Sequence, residues 1–273
     1  MSLNLNCNFY LHIQIVYLLL FLSISSLNAQ ERIKVSYSEY FNIMIPVKQS
    51  GELYINLEEN KTVWVEKVSG AIWNYDNSFD TGDIEELNTR DSKPLSSGLR
   101  RTIPDDYIIT DYNNKEIEII QDLGTRVFSV PDNFIEKKWE LHKESKMVND
   151  IECFKATTTF RGNTWEVWYA PSLPYPYGPW KLNGLPGLIL EATSTDGYHT
   201  YIAEKIKNNY PKKEPVIPRN KILKEISFKE YLEYNDYLFN YLFLDKDAPE
   251  PKDIFATKRE KEFEVKANLS WKD

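Results

Sequence analysis

The chain has 273 residues and a formal net charge of −8, with 27% of its residues charged. Acidity of this size excludes a general nucleic-acid binder, which must neutralise phosphates with Lys and Arg. The length suits one large domain burying about 70% of its unfolded surface, and two cysteines, Cys7 and Cys153, exclude a disulfide-dense scaffold.

Residues 1–29 read as a secretory signal: an uncharged start, an apolar stretch from Ile13 to Leu22, and the small residue Ala29 where a signal peptidase would cut. The stretch is shorter than the roughly 20 apolar residues that span hydrocarbon. Cleavage would leave residues 30–273 as a single β-rich domain that does not span the membrane, exported to the periplasm or associated with the outer membrane. Only Cys153 would remain, so no internal disulfide is expected. Its setting in "DIECFKATTTF" suits a small buried apolar residue.

Alternating segments separated by turn residues dominate the chain beyond the leader. "GELYINLEENKTVWVEKV" predicts a hairpin with Leu53, Ile55 and Leu57 on one face and a turn at Glu59-Asn60. Residues 74–104 are polar and rich in turn formers, and predict a surface loop. "YIITDYNNKEIEII" predicts a second hairpin around Asn113-Asn114, a pair that tolerates positive φ. A third turns at Gly162-Asn163 and a fourth at Asp196-Gly197. "NNYPKKEPVIPRNK" carries three prolines and predicts an extended connector. Ser227 and Glu230 form a capping box ahead of apolar positions from Phe228 to Leu242, which predicts an amphipathic helix. The expected fold is therefore mainly β with minor α: a curved, half-barrel-like antiparallel sheet built from hairpins and covered by a C-terminal amphipathic helix. The form of residues 251–273, edge strand or short helix, stays open.

The stretch "YGPWKLNGLPGLILEATSTDGYH" crowds turn formers against an apolar run. Pro186 presets φ and Gly187 accepts positive φ, which predicts a type II turn over Leu185 to Leu188, with Asn183 and Gly184 adding a permissive point before it. The turn residues Asn183, Gly184, Pro186 and Gly187 then steer a core strand starting at Leu188. A phosphate-cradling loop is the rival, but the Lys-Ser/Thr and following helix of such loops are missing.

"GLPGLI" at Gly184 to Ile189, within the block from Cys153 to His199, resembles the signature of the GLPGLI family of exported proteins. That resemblance implies a double-membrane bacterial envelope and a setting near outer-membrane transport. It implies no activity and no catalytic residues.

Signatures of the usual zinc and serine-hydrolase sites are missing, so no catalytic residue, metal or cofactor is expected. His142 and His199 read as surface or strand histidines. The aromatic cluster Trp165, Trp168, Tyr169, Tyr175, Tyr177 and Trp180 is the candidate ligand- or partner-binding set. Trp165 and Tyr169 share a strand face while Trp168 points the other way, so core packing competes with a binding rim. The function expected is a non-catalytic envelope protein binding an apolar ligand or an outer-membrane partner. A partner-docking module and a periplasmic hydrolase built on scattered carboxylates are the alternatives.

Overall fold

A computed structural model describes residues 32–41, 47–73, 93–94, 101–123, 126–210 and 215–233. The leader, most of the 74–104 loop and residues 251–273 lie outside them. The strands are β1 (Arg32–Phe41), β2 (Val47–Asn56), β3 (Lys61–Trp73), β4 (Lys93–Pro94), β5 (Asp106–Asp111), β6 (Glu116–Asp122) and β7 (Val127–Asn133). They continue with β8 (Glu140–Val148), β9 (Ile151–Phe160), β10 (Asn163–Ala170), β11 (Leu188–Ser194), β12 (His199–Lys207) and β13 (Ile222–Glu225). Twelve strands form one open sheet in the order β13-β7-β6-β5-β3-β2-β1-β12-β11-β10-β9-β8, and β4 pairs with β3 beside that path. The pairing is antiparallel except for β13, which runs parallel to β7.

Period-two alternation sorts side chains onto two faces. The inner face carries the main core, with Ile33, Val35 and Tyr37 of β1, Leu53 and Ile55 of β2, Trp64 of β3, Ile108 of β5, Ile119 of β6 and Val130 of β7. On the outer face, Val63, Val65, Tyr107, Ile120 and Val127 form a smaller cluster with Ile103. Burying so much apolar surface at roughly 25 cal/mol per Å² is what holds a disulfide-free chain together. Cys153 is fully buried and unpaired, and desolvation pushes its thiol up to about 11.

All four predicted hairpins form. The third turns one residue earlier than expected, at Arg161 and Gly162, whose φ values of 54° and 78° match a two-residue turn with both central residues left-handed. The proline-rich connector leads through a short 3-10 turn, Arg219–Lys221, into β13. Residues 228–233 are helical, and the capping box is reciprocal: the Ser227 N–H donates to Glu230 Oε2 at 2.8 Å and the Glu230 N–H to Ser227 Oγ at 3.2 Å. Ile226 and Tyr231 on either side of the cap are both buried. The helix expected beyond that turn lies outside the described residues.

The segment 171–187, between β10 and β11, is an internally bonded loop laid across the inner face. Its backbone closes through Gly184 N–H to Pro176 O (2.9 Å) and Leu188 N–H to Leu173 O (2.9 Å). Tyr177 Oη donates to Asn60 Oδ1 at 2.8 Å, tying the loop to the β2–β3 turn, and Trp139 Nε1 donates to Asn183 O at 3.0 Å. The type II turn is overturned here. Gly184 has φ +98°, but Gly187 is not among the positive-φ residues, and Leu188 N–H reaches back to Leu173, not to Leu185. Gly187 is needed for closeness instead: a Cβ there would lie 2.3 Å from Ala170 O and 2.6 Å from Ala170 C.

Candidate functional site

The aromatic cluster divides by burial. Trp165, Tyr169, Tyr177 and Trp180 are buried. Trp165 and Trp180 lie 5.8 Å apart, Trp180 stands edge-on to Phe160 at 5.5 Å, and Tyr112 packs on Tyr177 at 5.0 Å. Trp168 and Tyr175 are half-buried, and Trp168 lies under the Lys146 ammonium at 4.5 Å. The structure thus packs Trp180 of the loop on Trp165 of β10 and Tyr177 of the loop on Tyr112, and places Trp168 on the other face of β10. His199 is buried as well, and desolvation holds its imidazole down at about 4. His142 bonds Thr157 Oγ1 through Nε2 at 2.8 Å. Among the described residues, no group of three His, Cys, Asp or Glu side chains could hold a metal ion.

Two polar constellations stand out that sequence spacing did not disclose. The first is a row across the inner face of β1, β2, β3 and β5. Gln49 Nε2 donates to Glu39 Oε2 at 3.0 Å and to Glu66 Oε1 at 2.6 Å, and Glu66 sits directly across from Asp106. Arg101 pairs with Asp106, whose Oδ1 also accepts the Asp122 N–H at 3.0 Å. Gly51 makes the row possible, because a Cβ there would lie 2.0 Å from Glu39 Oε1 and 2.2 Å from the Trp64 ring. Desolvation, reinforced by the Asp106 charge, pushes Glu66 up to about 7. Desolvation likewise lifts Asp106 to about 6, against the pull of Arg101.

The pH dependence has a definite sign. Both carboxyls bind a proton more tightly folded than unfolded, so their contribution to stability is present in acid and lost as pH rises through 6 and 7. Neutral buried His199 works oppositely below its ordinary 6.5. A difference measurement isolates the acids: Glu66→Gln is expected to gain thermal stability relative to the parent as pH goes from 5 to 8. A pH-independent difference would contradict it.

The second constellation is an open cleft of about 590 Å³ on the outer face over β5, β6 and β7. That volume falls within the usual range of small-ligand sites, about 300–1,000 Å³. Lys61, Asp111, Lys115 and Glu116 line one part, Glu118, Ser129, Arg219 and Glu225 another, with Ile109, Pro131, Asn133 and Phe134 between them. Ile117 and Asp132 also line it but send their side chains to the inner face. The 3-10 turn before β13 swings Arg219 over β6, where its Nη1 and Nη2 grip Glu118 at 3.0 and 2.7 Å. Ser129 Oγ donates to Glu118 Oε1 at 2.7 Å. Against the pull of burial, the Arg219 fork and the Ser129 hydroxyl hold the Glu118 carboxyl below its usual range.

Asp111 is committed to structure. It accepts the Asn113 and Asn114 N–H groups at 3.0 Å, the Asn114 amide at 3.0 Å and Lys61 at 3.1 Å. Glu118 keeps an acceptor position on Oε2, since a carboxylate offers about four. Glu116 and Glu225 are exposed. Phe134 borders the cleft as a half-buried ring that packs on the main core, edge-on to Tyr112 at 5.8 Å and with the Lys137 ammonium 5.7 Å from its centre. Four carboxylates facing three cations disfavour an anionic occupant. Spare acceptors, ammonium donors and a ring suit a neutral, polyhydroxylated one.

What the fold and cleft define is one large open, mixed β-sheet with a polar surface site. Residues 91–236, just over half of the chain, match the family described as N-glycanase peptide, N-terminal domain, and the chain belongs to that family. No curated protein matches. Among solved structures, the chain is similar to PNGF-II, at 16% identity and TM-score 0.47, with 75% of this chain aligned on 33% of that one. It thus spans about a third of the PNGF-II chain. A DUF1329 family protein from Desulfovibrio piger aligns at 8% identity and TM-score 0.25, covering 68% of this chain and 88% of its own. A domain provisionally described as an outer membrane lipoprotein-sorting protein, from Vibrio parahaemolyticus, gives 8% and 0.26, with 71% and 91% covered.

Proposed function

We propose that the protein is an exported, non-catalytic module of the cell envelope that binds a glycosylated polypeptide through the outer-face cleft. The observation that carries this reading is the cleft itself: Glu118 fixed by Arg219 and Ser129, open carboxylates at Glu116 and Glu225, and the Phe134 ring. Carboxylates accept from paired hydroxyls, and an aromatic face covers the C–H surface of a pyranose. Family membership supports the choice of occupant, because the family is named for an N-glycanase and most of the cleft falls within residues 91–236. Export rests on the leader in residues 1–29. The "GLPGLI" resemblance supports the same location, and Gly184–Ile189 lies inside the matched segment. Half-barrel curvature of the sheet belongs to this reading too.

Retention of N-glycopeptides on the immobilised chain tests it. Glycosylated peptide is expected to be held over its deglycosylated form, and Arg219→Ala, at a side chain more than half exposed, to weaken retention roughly tenfold with melting unchanged. Equal retention of both forms would overturn the proposal. An apolar compound extracted from the native protein would favour the apolar-ligand carrier, and a co-purifying outer-membrane protein the docking module.

A hydrolase is the second reading, favoured by the Glu66–Asp106 pair, since a carboxyl at about 7 is poised as a general acid. Two features weigh against it: Asp106 is only 5% exposed, and Gln49 and Arg101 already engage both carboxyls.

A further inference from the structure

Lys137, Arg161, Lys181 and Asp132 form a buried charge cluster on the inner face, on the opposite side of β7 from the cleft that Asp132 also borders. Asp132 Oδ1 meets Arg161 Nη2 at 2.6 Å and Oδ2 meets Lys181 Nζ at 3.0 Å, with all three side chains at most 2% exposed. The Lys137 ammonium is buried and has no hydrogen-bond partner. It rests 4.4 Å from the centre of the Phe160 ring, and the Arg161 guanidinium lies 5.6 Å from the same ring. Phe228, at the start of the helical turn, closes over Arg161 and Lys181 at 5.0 and 5.3 Å.

Burying charge without compensation is expensive, and one carboxylate does not balance three cations. The chain also accepts local strain here. Trp180, next to Lys181 in the chain, holds φ at 53°, a conformation that disfavours residues other than glycine by about 1–2 kcal/mol, whereas the 54° of Arg161 is set by the β9–β10 turn. A merely structural ion pair would need only Asp132 and one partner.

We propose that this cluster is a binding site for a tetrahedral dianion, sulfate or phosphate, held by Lys137 and Arg161 beside the Asp132–Lys181 pair. Two charges on the anion make the cluster neutral, whereas a single carboxylate group would leave it positive. The state of Lys137 agrees: desolvation, with Arg161 and Lys181 nearby, pushes its ammonium down to about 7, the behaviour of a cation lacking a counter-ion. Enclosure by Phe228 implies slow exchange, with the anion acquired as the chain folds.

The test uses the mature chain dialysed exhaustively into chloride buffer, then denatured, with released anions quantified by ion chromatography. About one equivalent of sulfate or phosphate per chain is expected. In parallel, sulfate, phosphate and acetate are titrated against sodium chloride at matched ionic strength. Sulfate or phosphate is expected to raise the melting temperature saturably by several degrees in parent protein unfolded and refolded in chloride alone, and not in Lys137→Met treated alike, which controls for general salting-out. No released anion together with no saturable shift would overturn the site, as would the same shift in Lys137→Met. Acetate matching sulfate would overturn the dianion assignment. Should Lys137→Met not fold, the release measurement on the parent still decides. The result is independent of glycopeptide retention, so failure of either proposal is separately visible.

Discussion

Gly187→Val is expected to lower stability by about 3 kcal/mol or more, because a Cβ at this position meets backbone that cannot move without breaking the β10–β11 pairing. The contacts that forbid it are Ala170 O at 2.3 Å and Ala170 C at 2.6 Å, followed by Pro171 N at 3.0 Å. A flexible side chain could swing aside; a carbonyl at the end of a core strand cannot. For a domain of this size the melting temperature should fall by roughly 6–12 °C. Gly187→Ala should lose most of the same stability, since the clash begins at Cβ. If strain at positive φ were the cause instead, Gly187→Asn would be the mildest substitution; the close approach predicts that Asn is no better than Ala. Thermal melts of the three variants separate the two explanations.

The second large effect is expected at Trp180. Its ring fills the space between Phe160 and Trp165 and carries the loop segment against the sheet. Truncation to alanine should cost about 3–5 kcal/mol through lost burial and a residual cavity. The loss should appear in denaturant melts with no ligand present. Trp180→Ala that melts normally but no longer binds a partner would instead make the indole part of a recognition surface.

The contrast between hairpins and sites shows what a linear chain can reveal. Leu53, Ile55, Val63 and Val65 alternate around good turn formers, so local periodicity was enough for the β2–β3 hairpin. The parity of Trp165, Trp168 and Tyr169 likewise sorted them onto faces in the way the structure places them. β8 could not be read, because "ELHKESKMV" is an edge strand with most of its side chains in solvent and no apolar face to betray it. β7 hid behind Pro131 and Asp132, residues that argue against a strand until Asp132 is seen between Arg161 and Lys181. The type II turn failed because Pro-Gly has two physical uses, positive φ and close approach, and the sequence does not say which applies.

The cleft was out of reach for a different reason. Glu118 and Arg219 stand 101 residues apart, and they meet because β13 adds in parallel to β7, a pairing that no short-range signal encodes. The Glu39, Gln49, Glu66 and Asp106 row similarly depends on strand neighbours that are known only from topology. Among more than 40 acidic and 30 basic residues, spacing alone could not pick out the few that converge.

Titration calorimetry of residues 30–273 with an N-glycopeptide, followed by mass spectrometry of the recovered peptide, decides between binding and cleavage. A glycopeptide-binding cleft gives saturable heat that is lost in Arg219→Ala, and the glycopeptide is recovered intact. No heat with the parent protein, or release of the glycan from its asparagine, would contradict it.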